Sequence, residues 1–316
     1  MKRLSSASLR QQRGVALILV LWFIVLLAVL ALGLSKVSRN SAQTTRQLSG
    51  AAQARHLAES GAQMVLANLL MASDDQRLLG DGEEFSLSFE QGIVDVVLWN
   101  ESGKVDINRA TDALLSRLLE ALGLPLEQSE ALAAAIADWR DEDELVRLQG
   151  AEDADYFAAG LAYGAKDSAF ISVSELRKVL GMSESIYQQL EAYVTIYSKS
   201  SGVNPEVAPL PVLLAVSDAS VSSLKHYINE RRRTHRSGLP LPPEPAIDKA
   251  FVAKNKSAVF TLSARAVIEQ NSRGGQTTVF KLNQNKGKAS VKTLYSQPYA
   301  LTVHEMERLN MRVEER

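Results

Sequence analysis

Cysteine is absent from the 316 residues. Structural disulfides, thiolate metal sites and a cysteine nucleophile are therefore excluded. Histidine is scarce and scattered, at His56, His226, His235 and His304, with no H-E-x-x-H or comparable metal-binding spacing. The chain also lacks a G-x-S-x-G elbow, a phosphate loop and a dinucleotide-binding glycine fingerprint. Asp138 and Asp141 are paired acids of the kind glycosidases use, but i, i+3 spacing in a charge-dense loop offers no apolar pocket to raise one pKa. No catalytic function is expected.

Residues 15–34 lack charge and proline, and their only glycine is Gly33. That length suits a helix crossing a bilayer of roughly 30 Å at about 1.5 Å per residue. Lys2, Arg3, Arg10 and Arg13 precede the run, which keeps the N-terminus cytoplasmic and sends the remainder outward. A secretory signal would have a shorter apolar core with a small-residue cleavage site after it. Here the plausible cut lies in front, between Gly14 and Val15. This arrangement resembles the type IV prepilin class, in which a peptidase cuts after the glycine and methylates the new N-terminus.

Residues 35–72 also lack proline, and apolar or small residues recur there at helical spacing. One continuous helix is expected, lipid-facing in its first half and amphipathic in its second. Alternation over 84–91 and 92–100 predicts a β-hairpin, which 105–107 could extend. Residues 111–196 read as helical. Strands return over 259–270, 277–282 and 290–295, with a turn at 272–276. The fold class is α+β: a long N-terminal helix on an antiparallel sheet, carrying a large all-helical insert. The expected organisation is a leader over 1–14, the membrane part of the helix over 15–35, a first sheet-domain portion over 36–108, the insert over 109–202, and a second sheet-domain portion over 203–316.

Charge is unevenly distributed. Lys plus Arg against Asp plus Glu number 9 and 8 in residues 1–100, 9 and 18 in 101–200, and 17 and 10 in 201–316. Within the acidic third, LLEALG (118–123) and LRKVLG (176–181) repeat an L-x-x-x-L-G pattern. Each follows an N-cap signal, at Thr111 and at Ser172, the latter with Glu175 as a capping box. These units resemble helix-hairpin-helix motifs, and VDINRA (105–110) resembles their N-x-N-x-A lead-in, with Asp106 in place of the first asparagine. In nucleic-acid-binding members the hairpin meets phosphate through backbone N–H groups and nearby basic side chains. Pro125 lacks that N–H, and Glu127, Glu130 and Glu184 bring the wrong sign. The motif is read as packing architecture, and no nucleic-acid partner is expected. The competing readings are a membrane-anchored helix-hairpin-helix DNA-binding protein of competence type and a minor pilin of a type IV pilus, which shares the leader but predicts no such insert. The basic stretch 225–236 reads as a solvated helix end, where cations suit the dipole.

The segment DWRDEDELVRLQGAEDADY (138–156) holds eight carboxylates in nineteen residues, opposed by Arg140 and Arg147. Uncompensated, such charges repel and raise one another's pKa. A hard cation such as calcium, which takes about six to eight oxygens, would relieve them. Asp141, Asp143 and Glu152 fall at positions 1, 3 and 12 of an EF-hand loop, but Leu145 replaces a ligand and Val146 replaces the required glycine. A solvated acidic loop is the alternative, although the interleaved Trp139, Tyr156 and Phe157 favour a packed one.

Together, QQRG with VALILVLWFIVLL, VDINRA, DWRDEDE…GAEDADY and FISVSELRKVLGM resemble the K-type minor pseudopilin of bacterial type II secretion, over most of residues 10–200. Most pilin-like subunits carry glutamate as the fifth residue after the cut. Counting from Val15, that place is held by Leu19, a departure that suits a subunit with nothing above it. The resemblance implies a pilin-like sheet, a helical insert with calcium, and Asp138, Asp141, Asp143, Glu152 and Asp153 as candidate ligands. It also implies a cap at the pseudopilus tip. The implied partners are other minor pseudopilins, a prepilin peptidase and the inner-membrane secretion machinery. The implied location is a single inner-membrane pass with a periplasmic body. SGVNPEVAPLPVLLAV (201–216) resembles a second family entry motif loosely, because Pro205 and Glu206 break it.

Overall fold

The computed structural model describes residues 13–73, 76–253, 257–268, 272–285 and 288–299. The basic leader 1–12 lies outside them. The chain forms two compact units, 1–53 and 54–316. The first supplies the opening of helix α1 (Arg13–Met71). Side chains from Leu17 to Leu34 are exposed along it, and an 18-residue window there reaches a mean hydropathy of 3.2. By length and composition this segment is apolar enough for one membrane span.

In the second unit the close of α1 buries a stripe: Ala54, Leu57, Ala58, Ala62, Val65 and Leu69 recur at i+3 and i+4 and pack on a sheet. Small residues bring the helix close. A Cβ on Gly61 would stand 2.7 Å from Val94 Cγ1. The sheet is antiparallel, in the order β1 (Asp81–Phe89), β2 (Gly92–Asn100), β5 (Val259–Ile268), β6 (Ser272–Asn285), β7 (Lys288–Pro298). Period-2 alternation turns Val94, Val96 and Leu98 of β2 and Leu262, Ala264 and Ala266 of β5 inward. Gly82, at φ +78°, sits where the β1–β2 register shifts, and a Cβ there would strike the Trp99 ring at 2.0 Å.

The expected turn at 272–276 is instead the start of β6, with Arg273, Gly274 and Gly275 paired to Val267, Ala266 and Arg265. Glycine is used there for close approach: a Cβ on Gly275 would lie 2.6 Å from the Ala264 carbonyl oxygen. The sheet does not take in 105–107 either. After β2 a 3-10 turn (Glu101–Gly103) carries the chain away, and β3 (Val105–Asp106) pairs in parallel with β4 (Val194–Thr195) as a separate two-stranded ribbon. Buried Glu101 joins the two regions. Its carboxylate accepts from Thr195 Oγ1, from Thr261 Oγ1 at 2.7 Å, and from Lys104 Nζ at 2.9 Å.

Between β2 and β5 lies the helical body: α2 (Asp112–Ala121), α3 (Leu126–Arg140), α4 (Asp153–Ala158), α5 (Glu184–Leu190), α6 (Leu210–Ala215) and α7 (Val221–Arg236). Thr111 caps α2 as its sequence predicts, accepting from Leu114 N. Ser172 does not form the expected capping box. Residues Val173–Lys178 wind as a 3-10 helix, Ser172 makes no cap bond, and Glu175 is drawn off to Lys166 Nζ at 2.8 Å.

One core runs from Val105 through Val203, Val212 and Leu224 to Tyr227, with Phe251 against it. The packing boundary therefore falls beyond residue 202. Residues 203–216 form a second copy of the entry turn in spite of Pro205 and Glu206. Asp106 Oδ1 accepts from Asn108 N at 2.9 Å, and Asn204 Oδ1 accepts from Glu206 N at 3.0 Å. Val105 pairs in parallel with Val194, and Val203 with Val252.

The basic stretch 225–236 departs most from expectation. It is not simply a solvated helix end: Arg231 is fully buried, donating to Asp81 Oδ2 at 3.0 Å and to the Pro205 carbonyl at 2.9 Å. Arg232 Nε donates to the same Asp81 oxygen at 2.7 Å. Burial pulls the Arg231 pKa down, and Asp81 opposes that pull.

Candidate metal centre

Helix α3 ends at the acidic segment, and an aromatic group holds that end. Trp139, which is buried, has ring-centroid distances of 5.7 Å to Tyr156, 6.3 Å to Tyr163 and 6.3 Å to Phe170. Tyr156 is buried too, and its hydroxyl accepts from Leu180 N at 3.1 Å. The acidic segment is thus a packed loop at its edges. At its tip it is not, since Leu145 and Leu148 are 76% and 93% exposed. Arg140, expected to oppose the carboxylates, instead donates to the Ile107 and Ala110 carbonyls and fixes α3 to the β3 exit.

The five candidate carboxylates meet different fates. Asp138 is fully buried and fully used: Oδ2 accepts from Ala151 N at 2.8 Å and Arg147 N at 3.3 Å, and Oδ1 accepts from Arg147 Nη1 at 2.6 Å. It closes the loop, and Gly150 makes room for it, since a Cβ there would lie 1.9 Å from Oδ2. Asp141 caps α3. Its Oδ2 pairs with Arg147, while Oδ1 is buried with no hydrogen bond. Asp143 is exposed and accepts from Leu145 N at 2.9 Å. Glu152 opens α4, is 3% exposed, and has no hydrogen bond to either carboxylate oxygen. Asp153 faces Gly164, where a Cβ would meet its Oδ1 at 1.7 Å.

A sixth carboxylate belongs with these. Asp167, held at φ +53°, has a buried Oδ1 without a hydrogen bond. Burial raises its pKa, and Asp153 and Asp141 raise it further. It lies beyond the segment's dense run, and its one sequence signal is an acid between Lys166 and Ser168 in an otherwise apolar stretch.

The electrostatics divide along Asp141. On one side Arg147 binds Asp138, Asp141 and, at 3.3 Å, Asp112 of α2. Burial works against its charge, but those acids prevail and lift the guanidinium pKa. On the other side Glu152 is pushed up to about 7 by burial and then by Asp138, Asp141, Asp167 and Glu144. Among the described residues no three acidic or imidazole groups already stand in a ligating arrangement. The oxygens left without hydrogen bonds are those of Asp141, Glu152 and Asp167. Buried carboxylate oxygens without partners are costly. An all-oxygen donor set that tolerates variable spacing fits calcium.

At the other end of the chain, Gly14 and Val15 fall within α1, with their side chains outside the described residues, and Leu19 is 65% exposed. In the helical body, Gly123 at φ +97° and Gly181 at φ +83° end the two L-x-x-x-L-G repeats, as helix-terminating glycines do.

The family model for protein K of the type II secretion system matches residues 94–199, from β2 through the acidic loop to the β4 exit. Protein K of Klebsiella pneumoniae is 27% identical over 304 residues, covering 86% of this chain and 93% of that one. Its counterpart in Pseudomonas aeruginosa is 28% identical over 246 residues, covering 71% and 74%. Over most of its length the chain is similar to type II secretion protein K. Its fold is similar to that found in the crystal structure of the GspK-GspI-GspJ complex of enterotoxigenic Escherichia coli. The TM-score there is 0.52 at 18% identity, over 84% of this chain and 99% of that one. All the candidate ligands lie inside the span of the protein K family model.

Proposed function

We propose that this protein is the terminal subunit of a type II secretion pseudopilus. It enters the inner membrane through α1, is cut between Gly14 and Val15 by a prepilin peptidase and methylated on Val15, and joins other minor pseudopilins through its apolar helix. The structural neighbour, a K–I–J complex, supports that choice of partners. With the body in the periplasm, the subunit helps begin and cap a fibre that drives folded proteins outward.

The observation that carries this reading is the pairing of an apolar α1, with Leu19 where fibre subunits have an acid, with a helical body larger than the sheet that bears it. The missing carboxylate removes the ion pair a subunit needs beneath another, and the body supplies bulk above a pilin-like sheet. Immunogold labelling of sheared pseudopili tests the placement. Label at one end of each fibre is expected; label along the shaft would refute it. Mass determination of the mature protein should give methylated Val15 at the N-terminus.

We further propose that calcium binds in the acidic loop, held by Asp141, Glu152 and Asp167, with Asp143 or Asp153 completing the shell. Asp138 orders the loop around it. Bound there, the ion would supply the positive charge that the buried Glu152 lacks and would stiffen the loop. Calcium-dependent protection of residues 138–167 from hydrogen exchange is the expected result, and equal exchange with calcium and with chelator would refute it.

A further inference from the structure

Resting on the calcium reading above, we propose that Arg147 is a resident stand-in for part of the cation's charge. Its guanidinium neutralises Asp138, Asp141 and Asp112 in the cation-free chain and competes with the cation for the Asp141 carboxylate.

The geometry gives three reasons. The guanidinium joins carboxylates from three places, the first turn of α2, the end of α3 and its cap, and so occupies the position of a bridging ion. Asp141 is shared between two halves of the cluster: Oδ2 is taken by Arg147, while Oδ1 is buried without a hydrogen bond, and the same carboxylate's charge raises the pKa of Glu152 and of Asp167. Finally, the Arg147 side chain is 36% exposed, whereas that of Asp138 is fully buried. The cation of the pair can swing into water, and the acid cannot. The loop need not open for this to happen, because the Arg147 backbone N–H and that of Ala151 keep Asp138 Oδ2 in place.

Arginine and calcium then do overlapping work. Removing the arginine exposes three acids to one another, and a bound divalent ion restores most of what is lost. It also meets one more uncompensated negative charge, so it binds more tightly.

The test uses the full chain in detergent micelles, with unfolding temperature and calorimetric calcium titration for wild type, Arg147→Met and Arg147→Lys. In chelator, Arg147→Met should unfold well below wild type; in millimolar calcium the gap should largely close. Its calcium affinity should tighten by on the order of tenfold. Arg147→Lys keeps the charge without the fork and should fall between the two. If Arg147→Met folds only in calcium, the lysine variant carries the comparison, and that outcome supports the proposal. A calcium-induced shift in Arg147→Met equal to or smaller than that of wild type would overturn it, because Arg147 would then be positioning the ligands; the calcium reading would survive. No calcium response in wild type would sink the calcium reading itself.

Discussion

Asp81→Asn provides the sharpest test of how the helical body is fastened to the sheet. The substitution keeps the side chain's shape and removes its charge. Asp81 is 2% exposed, and one of its oxygens takes donors from both Arg231 and Arg232. Arg231 is 0% exposed, so it would be left charged in a dry site with neutral partners alone: the new amide oxygen, the Pro205 carbonyl and the Tyr227 ring. Breaking a buried pair on one side costs about 3–5 kcal/mol, whereas an exposed pair is worth about 0–1 kcal/mol. For a unit of this size, each kcal/mol moves the unfolding temperature by roughly 2–4 °C. A fall of about 6–20 °C is therefore expected in thermal unfolding followed by circular dichroism. The double variant Asp81→Leu with Arg231→Met removes both charges and should recover much of that loss. A drop under about 2 °C for Asp81→Asn would refute the reasoning, and the α7 arginines would then be surface decoration.

Other outcomes follow from the same structure. Glu152 has its pKa raised to about 7, so the folded chain holds its proton more tightly than the unfolded one. The stability this brings is full below the ordinary carboxylate range and is lost as pH rises through about 7. Without calcium, the unfolding temperature should thus fall between pH 5 and pH 8, and calcium should flatten the fall. Glu152→Gln should shrink that pH dependence and abolish the calcium response in the same melts; a variant that keeps both would remove Glu152 from the site. Gly61→Val drives a side chain into Val94, and overpacking of this kind costs about 1–3 kcal/mol, measurable by chemical denaturation.

Much of the fold can be read from local pattern. The hairpin of β1 and β2, the Thr111 cap and the long reach of α1 follow from periodicity and capping chemistry that act within a few residues. The misread features depend on tertiary partners. Nothing near Arg231 in sequence marks it as buried, because Asp81, its counter-ion, lies 150 positions away. The glycines at 274 and 275 resemble a turn until β5 is placed beside them. In the acidic loop, composition identifies the right neighbourhood, yet it cannot separate Asp138, whose oxygens are spent on Arg147 and Ala151, from Glu152, whose oxygens are idle. Asp167 enters the group through a fold-back that spacing does not encode.

The pairing of β2 with β5 has a consequence for how the molecule is made. Asn100 lies opposite Phe260, so residues 101–258 must be gathered in before the middle of the sheet can zip. Closing so long a loop is slow unless something shortens it. The helical body does so by folding its entry onto its later part, where Asn204 N donates to the Ser102 carbonyl at 2.7 Å and Val203 pairs with Val252. Until it has folded, the nine residues of β2 show a bare apolar edge open to any passing strand. Lesions deep in the helical body should therefore be seen first as clumping of nascent chains.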